Sequence, residues 1–296
     1  MTAQVAARTY TVAIRTNRWD ANCTRLFNEL RAEGIDPWVV FHGDASAAGL
    51  PTPNVVPIDD GWIARRGLRH LHDWGWRCGD YFYYALRLEG PKTDDYWLVE
   101  PDLYNTRGWA DFFNLFTHRA DDALGYKPGP VTRPSPFVGG ARGRVAIGTI
   151  FCLTRMSGSA LDYLYSVRRR YGMIHKNEQN FANDEIFCFS WLVSRGFKVG
   201  DLAELGADYF AGTHFTYGPD ILEDALHGGP HGIYHPVRTR ADYCREIGTR
   251  YAKMRRLTDI LAPSIALLGP GDADQIGAAF TAALRDILTP PAGDTP

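Results

Sequence analysis

The stretch YWLVEPDLYN, residues 96–105, is an apolar run that breaks off at Glu100, Pro101 and Asp102. Strand formers that point into a core are not followed at once by two acids unless the chain has just left the sheet. Pro101 agrees, because it has no N–H for a ladder and is tolerated at a strand end. The stretch is therefore expected to be a buried strand with carboxylates at its carboxyl end. In open α/β sheets that is the edge where ligands bind. Two acids two residues apart, off regular structure, can share a divalent cation through oxygen ligands; the plainer alternative is a solvated turn.

The rest of the chain is ordinary in bulk. Its 296 residues, 45% hydrophobic and 22% charged, suit one elaborated α/β domain. A net charge of -2 gives no basic field for nucleic acid or an anionic membrane. No apolar run reaches the roughly 20 residues that span a bilayer, and the start lacks a signal-peptide pattern, so a cytoplasmic location is expected. Cys23, Cys78, Cys152, Cys188 and Cys244 are odd in number and widely spaced, which predicts reduced core thiols. Aromatic residues make up 13% of the chain, enough to fill a core and also to offer platforms to sugars or bases.

Working outward, TYTVAIRT (9–16), PWVVFHGD (37–44) and NVVPIDD (54–60) read as strands, and RVAIGTIFCLTRMS (144–157) and KVGDL (198–202) as two more. Between the first two strands lies an amphipathic helix begun by Asn22 or Thr24 and stopped by Gly34. Further helices are expected over DYFYYALRLEG, with Asp80 at or near its start, and around Trp109 to Phe116. SALDYLYSVRRRYG reads as a helix whose arginines 168–170 favour its end dipole. Asn183 caps a buried helix with Asp184 and Glu185 in its first turn. The Pro- and Gly-rich segment 127–144 reads as a long loop, a candidate cover for a site. Alternation of strands and helices predicts an α/β fold with a mostly parallel central sheet. Residues 1–238 are expected to form its domain, 239–289 a helical extension, and 290–296 a disordered tail.

Candidate site residues cluster at predicted strand ends. Arg15, Thr16 and Asn17 close the first strand; His42 and Asp44 close the second and can meet a base or cap a turn. Arg65, Arg66, Arg69 and Arg77 can meet a diphosphate as a group, although each alone is expected to pair with a surface acid. Four of nine histidines, His214, His227, His231 and His235, lie within 22 positions, and their spacing is no zinc signature.

The order of these pieces, a strand ending in ExD, an NDE opening a helix and a late HP, resembles the GT-A superfamily of nucleotide-sugar-dependent glycosyltransferases. More narrowly, Trp97 to Asp102 resembles the W-x-x-E-x-D of a fungal and bacterial GT-A-like group. The resemblance implies a GT-A-like fold and a metal site of Glu100, Asp102 and His235 for Mn²⁺ or Mg²⁺, with His214 the rival histidine. It also implies a nucleotide-sugar site drawing on Arg15, Thr16, Asn17, Asp44, Arg77 and Asp80, and Asp184 or Glu185 as the base of an inverting transfer. The implied partners are a nucleoside-diphosphate sugar and a glycan, lipid-linked or other hydroxyl acceptor. Two readings from other classes stand beside it: a non-catalytic glycan- or nucleotide-binding protein, and a carboxylate-based hydrolase.

Overall fold

A computed structural model describes residues 7–132, 135–141, 144–175, 177–253 and 267–288. The chain divides into two compact units, one of residues 1–101 and 107–209, the other of residues 102–106 and 210–296.

The first unit is built on a seven-stranded sheet, with elements numbered along the chain. Its strands are β1 (Tyr10–Thr16), β2 (Trp38–His42), β3 (Val55–Ile58), β4 (Asp95–Val99), β6 (Ala123–Pro130), β7 (Ile147–Ser157) and β8 (Val199–Asp201). They lie in the order β3-β2-β1-β4-β7-β6-β8. All neighbours are parallel except β7, which runs antiparallel to both β4 and β6. This is the expected mixed α/β fold with a mostly parallel sheet. Because β1 to β4 run the same way, their carboxyl ends share one edge, which carries Arg15, His42 and the start of the ExD turn.

Helices α1 (Ala21–Ala32), α2 (Asp60–Arg65), α3 (Trp74–Arg77), α4 (Asp80–Glu89), α5 (Trp109–Asn114), α6 (Gly158–Ile174), α7 (Asp184–Arg195) and α8 (Ala203–Phe210) surround the sheet. Strand β4 is buried at all five positions, so its side chains feed both faces. Tyr96 and Leu98 join the core beneath α4 and α6, while Trp97 packs on the other face against Phe112, Phe113 and Phe116 at 5.0–5.8 Å between ring centres. Most of the aromatic surplus is thus core. Fully burying one such ring stabilises by roughly 4–6 kcal/mol as an upper bound.

Three expectations need correction. The cap of α1 is Asp20, whose carboxylate accepts from the Cys23 N–H, not Asn22 or Thr24. Residues 123–130 form β6, although Gly125, Pro128, Gly129 and Pro130 argue against a strand; its pairing with β7 is irregular where those residues fall. Arg168 is not part of an exposed basic helix end. It is 0% exposed, pairs with buried Asp80 at 2.9 Å and packs over the Phe187 ring. Two charges taken out of water together lose less than either would alone, and the planar guanidinium meets both Asp80 oxygens. The five cysteines are buried free thiols, as expected.

The second unit holds two small sheets, β5 (Tyr104–Asn105) with β10 (Ile233–Tyr234) and β9 (Ile221–Leu222) with β11 (Val237–Arg238). Helices α9 (Arg240–Lys253) and α10 (Pro270–Leu288) complete it. The expected tail 290–296 and the continuation of the 242–262 helical pattern beyond Lys253 lie outside the described residues. Among the described residues, no helix is long and apolar enough to cross a membrane.

Candidate functional site

In the first unit, the carboxyl edge gathers one guanidinium and three carboxylates. Arg15, the penultimate residue of β1, bonds Glu100 at the end of β4 and lies 3.3 Å from Asp184 at the start of α7. Glu100 is fixed by its own N–H, which donates to the Cys152 carbonyl on β7 at 3.0 Å. The turn after it is held where Arg25 donates to the Pro101 carbonyl at 2.8 Å.

Asp184 and Glu185 are placed by the cap that the sequence announces. The Asn183 side chain accepts from the Ile186 N–H, and Gly196, at φ 88°, ends the helix in the left-handed conformation that glycine adopts without strain. Asp184 is 3% exposed, accepting from the Gly79 N–H at 2.8 Å and from the Glu185 N–H at 2.8 Å. Asn183 donates to Glu185 at 2.8 Å. Gly79 is needed for this approach, since a Cβ there would stand 1.5 Å from the Arg15 guanidinium and 2.3 Å from the Asp184 carboxylate.

Electrostatics follow from the count of charges. Burial pushes the Asp184 carboxyl well above the ordinary carboxylate range; Arg15 pulls it back, but that guanidinium is shared with Glu100. Burial, and then the neighbouring Asp184 charge, raise Glu185 as well. Burial works against the Arg15 charge, and Glu100 and Asp184 more than offset it. One cation cannot neutralise three ionised acids in a dry site, so the acids hold a proton or attract a second cation.

A pH dependence of stability follows. For a carboxyl whose folded-state pKa is raised, the folded protein binds more protons than the unfolded chain between the two values. The resulting stabilisation is present at low pH and is lost as pH rises through the raised range. Unfolding midpoints in urea are therefore expected to fall between about pH 5 and pH 8 in proportion to these two groups. Asp184→Asn should flatten that slope, and an unchanged slope would exclude Asp184 as its source.

The other candidate residues of this unit lie as follows. The Thr16 hydroxyl bonds the Arg18 carbonyl at 2.5 Å, and Asn17 is exposed beside it. Asp44 is exposed and caps Ser46 through the Ser46 N–H and hydroxyl. Arg77 pairs with Asp73 at 2.5 Å and donates to the Glu178 carbonyl. Asp80 faces Arg168 and accepts from the Tyr84 hydroxyl at 2.9 Å. Arg66 and Arg69 pair with Glu89 and Glu178, as expected of single surface arginines.

In the second unit, a backbone ladder brings Asp102 to His235. Residues 104–105 pair with 233–234, and the Val237 N–H donates to the Asp102 carbonyl at 2.9 Å. His235 Nδ1 lies 2.8 Å from the Thr216 carbonyl, which can only accept, so Nδ1 carries the proton. In the neutral ring Nε2 then presents its lone pair, 3.7 Å from Asp102 Oδ1. That oxygen is buried and accepts no hydrogen bond among the described residues. Arg238 holds the other carboxylate oxygen at 3.1 Å. Two acceptors facing one another at this separation suit a cation or a proton between them, and a histidine oriented through its other nitrogen by a carbonyl is how metal-binding imidazoles are held. His214 has its Nε2 2.9 Å from the Pro219 carbonyl.

Gly79, Thr216 and Arg238 were not singled out by the sequence. A glycine before an acid-led helix carries no local signal, whereas Arg238, three residues after His235 in HPVR, shares its short strand region.

The sequence matches no protein-family model and no curated protein. Among solved structures it is similar to a protein described as a glucose-1-phosphate thymidylyltransferase from Bacillus anthracis, solved with sucrose. That likeness has a TM-score of 0.36 at 10% identity and covers 65% of this chain and 87% of the other.

Proposed function

We propose that the chain is a metal-dependent glycosyltransferase that moves a sugar, with inversion, from a nucleoside-diphosphate sugar to an acceptor hydroxyl. The observation that carries this reading is the Arg15–Asp184–Glu185 array at the carboxyl edge of the sheet, a buried acid pair beside a guanidinium. A base must be nearly matched to the working pH, and burial tunes Asp184 in that direction. Asp184, fixed by two backbone N–H groups, takes the proton of the acceptor hydroxyl; Glu185 is its substitute. Arg15 would share its charge with the diphosphate.

Asp102 and His235 fit a divalent cation by their donor atoms and by the orphaned Asp102 oxygen. A mixed nitrogen and oxygen set of this kind suits Mn²⁺ or Mg²⁺, with the imidazole favouring Mn²⁺. When bound, the ion would supply charge stabilisation to the departing nucleoside diphosphate. Arg15, Asp184 and the α7 cap supply positioning and the proton acceptor.

The test is thermal shift with UDP and with GDP, each with and without Mn²⁺. A rise of several degrees with one nucleotide, larger with Mn²⁺, is expected. No stabilisation by either nucleotide in either condition sinks the reading.

A further inference from the structure

The short helix α3 is clamped from both sides at the carboxyl edge, yet it turns one large ring outward. Trp74 is buried, packs against His42 at a tilt with 4.0 Å between ring centres, and donates to Asp60 at 2.8 Å. Gly75 lies so close to His42 that a Cβ would stand 2.6 Å from its ring nitrogen. On the other side, just past the end of α3, the Gly79 N–H donates to the candidate base Asp184. Between these anchors Trp76 is 68% exposed. The Phe137 ring meets it at 63° with centres 6.5 Å apart, and Arg77 lies over Phe137 at 5.4 Å.

A single exposed ring is ordinary by itself; Trp76 is set apart by the aromatic and charged side chains gathered around it. Its surroundings indicate what it would hold. Trp76 lies three residues before Gly79, whose N–H donates to the candidate base Asp184. Its flanks are polar: Arg77 with Asp73, and Glu178, whose side chain is half exposed. A lipid or an apolar helix would desolvate those charges without compensation. A sugar ring, with one C–H face and a rim of hydroxyls, satisfies both the indole face and the charged rim.

We propose that Trp76, flanked by Phe137 and Arg77, is the platform for a saccharide acceptor. This rests on the transferase reading and adds the acceptor class to it. In the proposed arrangement the indole covers the C–H face of the sugar next to the reacting one, Glu178 accepts from its hydroxyls, and the reacting hydroxyl extends toward Asp184.

The experiment is titration of the full chain with maltohexaose, cellohexaose and chitohexaose, read by tryptophan fluorescence and by calorimetry. Wild type is expected to bind at least one, with Trp76→Ala weakening it about 10-fold or more and Trp76→Phe less. The UDP or GDP thermal shift should be unchanged in both variants, which also shows that they fold. Equal binding by Trp76→Ala, or no binding of any of the three by wild type, overturns the proposal. So does a loss of nucleotide affinity with saccharide binding retained, which would make the ring a platform for the base. Loss of the nucleotide shift in wild type would instead remove the transferase reading.

Discussion

Asp184→Asn is expected to lower turnover by about 10²–10⁴-fold while leaving the nucleotide-dependent rise in Tm intact. The exchange keeps size and shape; Gly79 donates to one Asp184 oxygen and Glu185 to the other, so the asparagine carbonyl retains one of the two bonds. What it removes is the capacity to take a proton. Turnover is best followed as nucleoside diphosphate released from UDP- and GDP-sugars with Mn²⁺ and a mixed saccharide acceptor. If Asp184→Asn keeps wild-type turnover, Asp184 is not the base. Glu185→Gln then becomes the decisive variant, because Glu185 sits on the same turn with its own raised carboxyl.

The second large effect is expected at Asp102. Asp102→Asn should weaken Mn²⁺ binding by about 100-fold or more and remove the Mn²⁺-dependent part of the thermal shift. His235→Ala should do the same, since its Nε2 and Asp102 Oδ1 face one another. His214→Ala should leave the metal response intact, because it is the His235 ring that faces Asp102. A full Mn²⁺ response in Asp102→Asn would show that the ion, if bound, is held elsewhere. Calorimetric titration of Mn²⁺ without nucleotide separates a lost ion site from a lost nucleotide site.

What could be read from the sequence depended on how local the cause was. Strands β1 to β4 declared themselves by β-branched runs ending in polar groups, and the α7 cap by an Asn before two acids and an apolar face. The ExD turn was legible because a proline and two carboxylates cannot continue a buried strand. Strand β6 was not, because its Gly and Pro residues deny it local propensity and it is held by tertiary pairing with β7. Arg168 looked like a helix-end charge, since its partner Asp80 lies 88 positions earlier. The same distance hides Gly79, whose meaning comes from Arg15 and Asp184 rather than from its neighbours. Candidate residues could thus be named as types near strand ends, while their pairing required the fold.

The pairing of β5 with β10 also sets a schedule for biosynthesis. Thr106 exchanges hydrogen bonds with Gly232, 126 positions later. At about 5–20 residues per second, residues 102–106 wait roughly 6–25 s after synthesis before their partner strand exists. All the β1–β4 pairing can form in that interval, but the short edge that bears Asp102 cannot. A pause of translation between residues 201 and 232, once every strand of the seven-stranded sheet has been made, would delay the pairing of that segment and leave the large sheet free to form.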